Sequence, residues 1–458
     1  MDREACNVVR ERKNMQSQSV SIIRYESPRK SVRKAVELAC GLDHMPSQAR
    51  VMIKPNIVFW TRAVDFPKWG VITTSRVVED IVILLKEKGA REITIGEGTV
   101  FLDPSDRETS QHAFTSLGYD VLQKKYGVRY MSFWDRPFQK MDFGDGIGLS
   151  VNTDILESDF VVNLPVMKTH NQTIVSLGIK NLKGTIDIAS RKKCHCEGEQ
   201  MNLHHMVSRL ADVMPPMLTL IDGIFTNERG PSFDGKIRRS NLLVASSDVL
   251  SADMTGARLL GYFPSEIPHL VHAAAHRKRL LDFTDIDLKG IDIDQAASRH
   301  EYDFQYTDDP MNSLPLPLAK MGIKGVSYRK YDLSMCTYCS GVNGLVLSAI
   351  RYAWKGRPWD GVEILTGKTM KPTPGMKKTI LLGKCMYKAN RDNPDIQEMI
   401  PVKGCPPKPS DIVKALHQAG IDVDPGLFEN MDSLPGFFLG RYVDKPEFDP
   451  LLFQVLHD

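Results

Sequence analysis

A chain of 458 residues, 42% hydrophobic and 25% charged, has the composition of an ordinary globular protein and is too long for one average domain. A net charge of +3 over that length, with no block of lysine and arginine, gives no field for nucleic acid, and no apolar run reaches the roughly 20 residues that span a bilayer. The charged opening "MDREACNVVRERKNMQSQSV" has no apolar leader core, so the expectation is a cytoplasmic protein whose eight cysteines stay reduced and serve metal or redox chemistry.

After residues 1–18, expected to be a flexible start, "SVSIIRY" predicts a strand and "RKSVRKAVELACGL" an amphipathic helix. The strand "RVMIKPNIV" follows, and the helix "TTSRVVEDIVILLKEKGA", with its Thr/Ser cap and Gly stop, leads into the strand "EITIGEG". Alternation of this kind predicts a parallel sheet with crossover helices, and it continues through "SDFVVNLPVMK", "PMLTLIDGIF" and "SNLLVASSD". Residues 19–270 therefore read as one α/β body, and the acidic, turn-rich residues 271–332 as a connection. Residues 333–458 resume the alternation, with helices at "GLVLSAIRYAW" and "SDIVKALHQAG" and strands at "VEILTGK" and "KTILLGK". The fold class is α/β, a mostly parallel sheet body with a second, smaller α/β domain that bears the cysteines.

In that second unit Cys336 and Cys339 lie in "MCTYCSG", Cys385 in "LLGKCMYKAN" and Cys405 in "VKGCPPKPSDIVKAL". Cys385 and Cys405 each follow an apolar strand or strand-like run, where the end of a parallel strand opens into a crevice. Four thiolates from three loops are thus predicted to converge on one side of one sheet. A structural zinc site usually brings two close pairs; here one pair is joined by two singles separated by 19 residues. Four cysteine thiolates are also the ordinary ligand set of an iron–sulfur cluster, with zinc and small buried thiols as the other readings. The "GCPP" turn resembles the cluster-ligating turn of the small subunit of nickel–iron hydrogenases and of the related quinone oxidoreductase subunit. That resemblance implies one 4Fe-4S cluster on Cys336, Cys339, Cys385 and Cys405. Cys6, in the charged start, and Cys40, closing a helix, read as non-ligands.

The first body carries polar groups at its strand ends: Lys54 and Asn56 in "IKPNIV", Glu97 in "GEGT", and Lys168, Thr169 and His170 after a strand in "LPVMKTHN". "GIKNLKGT" adds Lys180, Asn181 and Lys183, "LIDGIFTNERGP" adds Asp222 and Glu228, and "SSDVLSAD" adds Asp248 and Asp253. The lysines attract a carboxylate or phosphate, and His170 exchanges protons near neutral pH, which makes Lys168 and His170 the candidate catalytic pair. In the competing reading the aspartates cap turns, Asn56 bonds backbone and the lysines are merely solvated. "GEG" is too short for a dinucleotide fingerprint.

The motifs "KPN", "NLPVMKTH", "GIKNLKG", "DGI...GP.F.G" and "ASSDVLSAD", in this order across roughly residues 20 to 262, resemble the family known as domain of unknown function 362. Some relatives carry cysteine-ligated iron–sulfur modules at the C-terminus; this chain lacks their tandem pattern of close cysteines, so a single cluster is expected. The stretch "RKKCHCEGEQMNLHHMVSRLADV" is expected to cover the cleft as a mobile loop, with a second metal on Cys194, His195, Cys196, His204 and His205 as the alternative.

The function expected is an iron–sulfur redox enzyme acting on an anionic small molecule in a Lys/His-lined cleft, served by a ferredoxin-like electron donor. An electron-transfer or assembly protein, and a non-redox enzyme with a structural cluster, are the alternatives. The enzyme reading requires the cysteine loops to face Lys168 and His170 across one crevice.

Overall fold

A computed structural model describes residues 17–100, 106, 108–196, 198 and 201–455, so Cys6 lies outside the described residues. Strand β1 (Gln18–Arg24) leads to helix α1 (Lys30–Leu38), then β2 (Arg50–Lys54), α2 (Ser75–Glu87), β3 (Glu92–Glu97) and, after two more helices, β4 (Arg129–Ser132). A hairpin of β5 (Phe138–Asp142) and β6 (Gly148–Asn152) forms a separate two-stranded sheet. Next come β7 (Phe160–Asn163), β8 (Val166–His170), β9 (Ile174–Ser176), α3 (Gly178–Asn181) and α4 (Leu203–Arg209). The body closes with β10 (Met217–Glu228), β11 (Lys236–Ser246), α5 (Val249–Leu259), α6 (Pro268–His276) and β12 (Ile286–Gly290).

Their main sheet has the order β12-β1-β11-β10-β7-β2-β3-β4, with β8 paired to β10 and β9 to β8. Pairing is parallel except where β11 meets β1 and β10, and where β9 meets β8. Side chains alternate between two cores. Val51 and Ile53 of β2 enter the one that holds Val32 of α1 and Ile81 of α2, while Met52 enters the other, with Met254 of α5 and Leu270 of α6. Coverage on both faces is why these strands read as unbroken apolar runs.

A second sheet follows: β13 (Val326–Ser327), helix α7 (Thr337–Ala353), β14 (Val362–Leu365), β15 (Lys378–Leu382), α8 (Lys384–Asn390), β16 (Glu398–Val402) and α9 (Pro409–Gln418). Its four strands are parallel in the order β13-β14-β15-β16. Val342 and Leu345 of α7 and Ile412 and Leu416 of α9 bury against Val362, Ile364 and Ile380. The fold is α/β with mostly parallel sheets.

Three features depart from the sequence reading. Pro165, which has no N–H to give a ladder, separates β7 from β8, so Lys168, Thr169 and His170 lie inside a short strand rather than after one. The expected connection 271–332 is shared out: β12 adds a parallel edge to β1, and β13 opens the small sheet. The last stretch, expected to belong to the cysteine unit, returns to the large body. Tyr442, Phe448, Phe453 and Val455 are buried in its core, rings of the first three pack around Trp69, and Trp69 Nε1–H donates to the Asp449 carbonyl at 3.1 Å. Aromatic burial outweighs proximity in the chain here. Among the described residues no helix is long and apolar enough to cross a membrane.

Candidate functional site

The three adjacent parallel strands β3, β2 and β7 end in Glu97, Lys54 and Asn163. Lys54 Nζ, on a side chain 1% exposed, donates to Glu97 Oε2 at 2.8 Å, the Pro55 carbonyl at 2.8 Å and Asn181 Oδ1 at 3.1 Å. Glu97 also accepts the backbone N–H groups of Ile57 at 2.9 Å and Gly98 at 2.8 Å. Asn181 Nδ2 donates to Asn163 Oδ1 at 2.8 Å, and Asn56 Nδ2 to Asn181 Oδ1 at 2.9 Å. Lys168 Nζ completes the set, donating to Asn56 Oδ1 at 2.6 Å, the Val71 carbonyl at 2.9 Å and the Pro231 carbonyl at 3.1 Å. Gly184 closes over the ion pair: a Cβ there would stand 2.6 Å from both Glu97 Oε1 and Lys54 Nζ, so only glycine fits.

Each of these two ammonium groups has three donors and three acceptors, so the network is satisfied from within the fold. The polar atoms expected to bind a ligand, on Lys54, Asn56, Glu97 and Asn181, are bound to one another instead. Burial, and then the charge of Lys54, pull Lys168 down to about 7.

Beside this network lies a second group of nitrogens with few acceptors. Lys183 Nζ donates to His195 Nε2 at 2.7 Å, and His195 Nδ1–H donates to the Leu333 carbonyl at 2.9 Å, which fixes a neutral imidazole. His170 Nδ1 accepts the Gln172 backbone N–H at 3.1 Å, so its proton sits on Nε2. Arg191 donates to the carbonyls of Ile186 at 3.0 Å and Gly184 at 2.7 Å and lies 4.5 Å from the centre of the Trp134 ring. Among the described residues Lys180 Nζ has no hydrogen-bond partner.

These groups repel one another. Burial and then Lys180, Lys183 and His195 hold His170 well below the usual imidazole range. Lys180 is held well below the lysine range by burial and then by Lys183 and Lys168; Lys183 is pulled to about 8, chiefly by burial. Lys168, His170, Lys180 and Lys183 thus share one neighbourhood, rich in cations and short of carboxylates.

The cysteine unit docks onto this group. Gln172 Nε2 donates to the carbonyls of Asp332 at 2.9 Å and Met335 at 3.0 Å, so the loop leading to Cys336 sits against the chain two residues past His170. Lys368, after β14, donates to the Lys192 carbonyl at 3.2 Å and to the His195 carbonyl, and Lys192 Nζ lies 4.7 Å from the centre of the Tyr338 ring.

Cys336 precedes α7 and is buried, Cys339 is half-buried, and Cys385 and Cys405, after the adjacent strands β15 and β16, are exposed. All four thiols lie in electrostatic reach of one another. Cys336 is pulled down to about 5, first by the thiol of Cys339 donating to it and then by the backbone N–H groups of Tyr338 and Cys339, while Cys339 is pushed up. Gly383, at φ +95°, leaves room beside them, since a Cβ there would stand 3.2 Å from Cys339 Sγ. An all-thiol donor set at one end of one sheet, with a glycine against it, fits a soft iron–sulfur centre. Among the described residues no group of three or more His, Cys, Asp or Glu side chains is gathered to hold a metal ion, and these thiols stand as neighbours only.

Other candidates fall elsewhere. Asp222 accepts the backbone N–H groups of Thr74 at 2.7 Å and Ile224 at 3.1 Å, and its charged neighbour is Arg239, so it anchors the start of α2 rather than joining the lysines. Asp253 accepts Gly178 N–H at 2.6 Å and Ile179 N–H at 2.9 Å and so positions α3, which carries Lys180 and Asn181; burial raises it to about 7. The expected covering loop is a buried wall at Cys194 and His195, which are 0% and 3% exposed. The alternative second metal set is dispersed: Cys194 neighbours Lys183, Cys196 donates to the Met201 carbonyl, His204 stacks on His269 and His205 on His272. The residues missed by sequence are Asn163, Gln172, Arg191 and Lys368, while His195, named there only as an alternative metal ligand, is bonded to Lys183 and the Leu333 carbonyl instead. Of these only Asn163, inside "NLPVMKTH", carried a signal.

Comparison with solved structures finds the lactate racemase apoprotein of Thermoanaerobacterium thermosaccharolyticum at TM-score 0.36 and 15% identity, over 55% of this chain and 58% of that one. A protein of Thermotoga maritima aligns at TM-score 0.27 and 12% identity, over 52% of this chain and 60% of that one. The thylakoid-associated protein sll1697 of Synechocystis sp. is 27% identical over 258 residues, which are 55% of this chain and 77% of the relative. Residues 51–258, the stretch that holds the lysine network and the cationic group, match the family described as Domain of unknown function (DUF362).

Proposed function

We propose that this protein is an iron–sulfur redox enzyme acting on an anionic small molecule held by Lys183, Lys180, His170 and His195, with a ferredoxin-like protein as electron donor. The observation that carries the reading is the seating of the Cys336 loop on Gln172 and His195, which sets the thiols beside a buried group of cations lacking counter-charges. A simple carrier has no use for those buried cations, whose desolvation is costly unless an anion answers it.

A 4Fe-4S cluster bound by Cys336, Cys339, Cys385 and Cys405 would supply single electrons. Lys183, held by His195, would take the acidic group of the substrate. His170, a neutral imidazole with its proton on Nε2, would donate a hydrogen bond from Nε2–H to the substrate anion rather than exchange a proton near neutral pH. Lys368, bonded to the His195 carbonyl and acting on both Cys336 and Cys385, would hold the two units in register and favour thiolates.

Anaerobic purification with iron and sulfide analysis and electron paramagnetic resonance tests the proposal. The expected result is about four irons per chain, lost in Cys405→Ser and unchanged in Cys40→Ser. Iron absent from the unaltered chain, or retained with the same spectrum in Cys405→Ser, refutes this ligation.

A further inference from the structure

Two imidazoles of the body lack the bonds that burial calls for. His269, on α6, is 0% exposed, and neither Nδ1 nor Nε2 has a partner; His204, on α4, is 6% exposed and its Nδ1 has none. The rings lie 5.8 Å apart between centres and 12° from parallel. Native structures rarely leave buried polar atoms unpaired, and here three occur together. Helix α3 packs on α4 and α4 on α6, which brings Lys180, the ammonium without a partner, into electrostatic reach of both rings.

The chemistry of this group favours an anion. The charged neighbours of His269 are His204, Lys180 and His272, so a metal ion would find imidazoles alone, with no carboxylate, no thiolate and a repelling lysine. An oxyanion would find two imidazole N–H groups and the Lys180 amino group, which gains its proton as the anion binds. Lys180 also neighbours Lys183 and His170, and therefore stands between the two groups. Glu97 is already committed to Lys54, which leaves Lys180 and Lys183 both without a bound carboxylate.

We infer that Lys180, His204 and His269 form a second anion subsite behind Lys183, His170 and His195, and that the ligand is a small diacid with one acidic group in each. The inference rests on the anionic-ligand part of the proposed function and is independent of the cluster. An anion entering this subsite raises the proton affinity of the imidazoles and of Lys180, so binding takes up protons.

Calorimetric titration of the full chain with succinate and with propionate, in buffers of different ionisation heat, provides the test. Succinate is expected to bind at least tenfold more tightly than propionate, with net proton uptake. In His269→Leu, and separately in Lys180→Met, the ratio of the two affinities should fall to about one. Equal affinities in the unaltered chain, or a ratio unmoved in both variants, overturns the diacid and leaves a single-anion site standing. Failure of both acids to bind overturns this inference and the anionic-substrate reading together. Stoichiometric binding of zinc that is lost in His269→Leu, with the acid ratio unmoved, replaces the anion subsite by a metal site.

Discussion

Lys54, Lys168 and Lys183 are buried and Lys180 half-buried, on neighbouring elements of the same body, yet the first two give all their donors to the protein while Lys183 gives one to a neutral imidazole and Lys180 gives none. Burial alone therefore does not separate the two pairs; the count of acceptors does. A satisfied cation holds strands and loops in place, and an unsatisfied one stores a repulsion that a ligand can relieve.

The strongest way to break this comparison is to remove one partner from the satisfied pair. Lys54→Met leaves Glu97 buried without its cation and should cost about 3–5 kcal/mol in urea unfolding, much of it recovered when Glu97→Leu is added. A Lys54→Met protein as stable as the parent would move Lys54 out of the structural class.

Stability against pH reads the unsatisfied group. The folded chain lowers Lys183 from 10.5 to about 8, so between those values the unfolded chain binds more protons and stability rises with pH. The rise attributable to Lys183 is at most about 3 kcal/mol across that window at 1.36 kcal/mol per unit, and Lys183→Met should flatten it. Denaturation from pH 8 to 9.5 makes the comparison; equal slopes in parent and variant would show that Lys183 is not strained by burial. The smallest effect concerns binding: Lys183→Met should weaken propionate about tenfold, about 1.4 kcal/mol, while leaving neutral-pH stability equal or higher.

The body was legible because its strands are buried on both faces and punctuated by Gly, Pro and polar caps. The antiparallel β11 was not, since an apolar run carries no direction. Spacing singles out Cys336 and Cys339, and the placement of Cys385 and Cys405 after β15 and β16 puts those two at one sheet end. The lysine motifs pointed to residues that the fold brings together, but sequence has no means of showing that Lys54 and Lys168 are internally saturated; that depends on Asn56, Asn163, Asn181 and Glu97 arriving from four separate segments. Lys368 was hidden for a related reason, since its partners are backbone carbonyls, which leave no trace in side-chain chemistry.

The return of the last residues to the large body makes the cysteine unit an insert with two abutments rather than a pendant. On one side the Glu301 carbonyl is held by Thr169 Oγ1 at 2.9 Å; on the other, Thr61 Oγ1 donates to the Asp432 carbonyl at 3.0 Å. Between these two points Gln172 holds the Asp332 and Met335 carbonyls and Lys368 holds the Lys192 and His195 carbonyls, so the unit is tied to the body along a row of bonds. Parting the Cys336 loop from the cationic group therefore requires several bonds to break together rather than one hinge to turn.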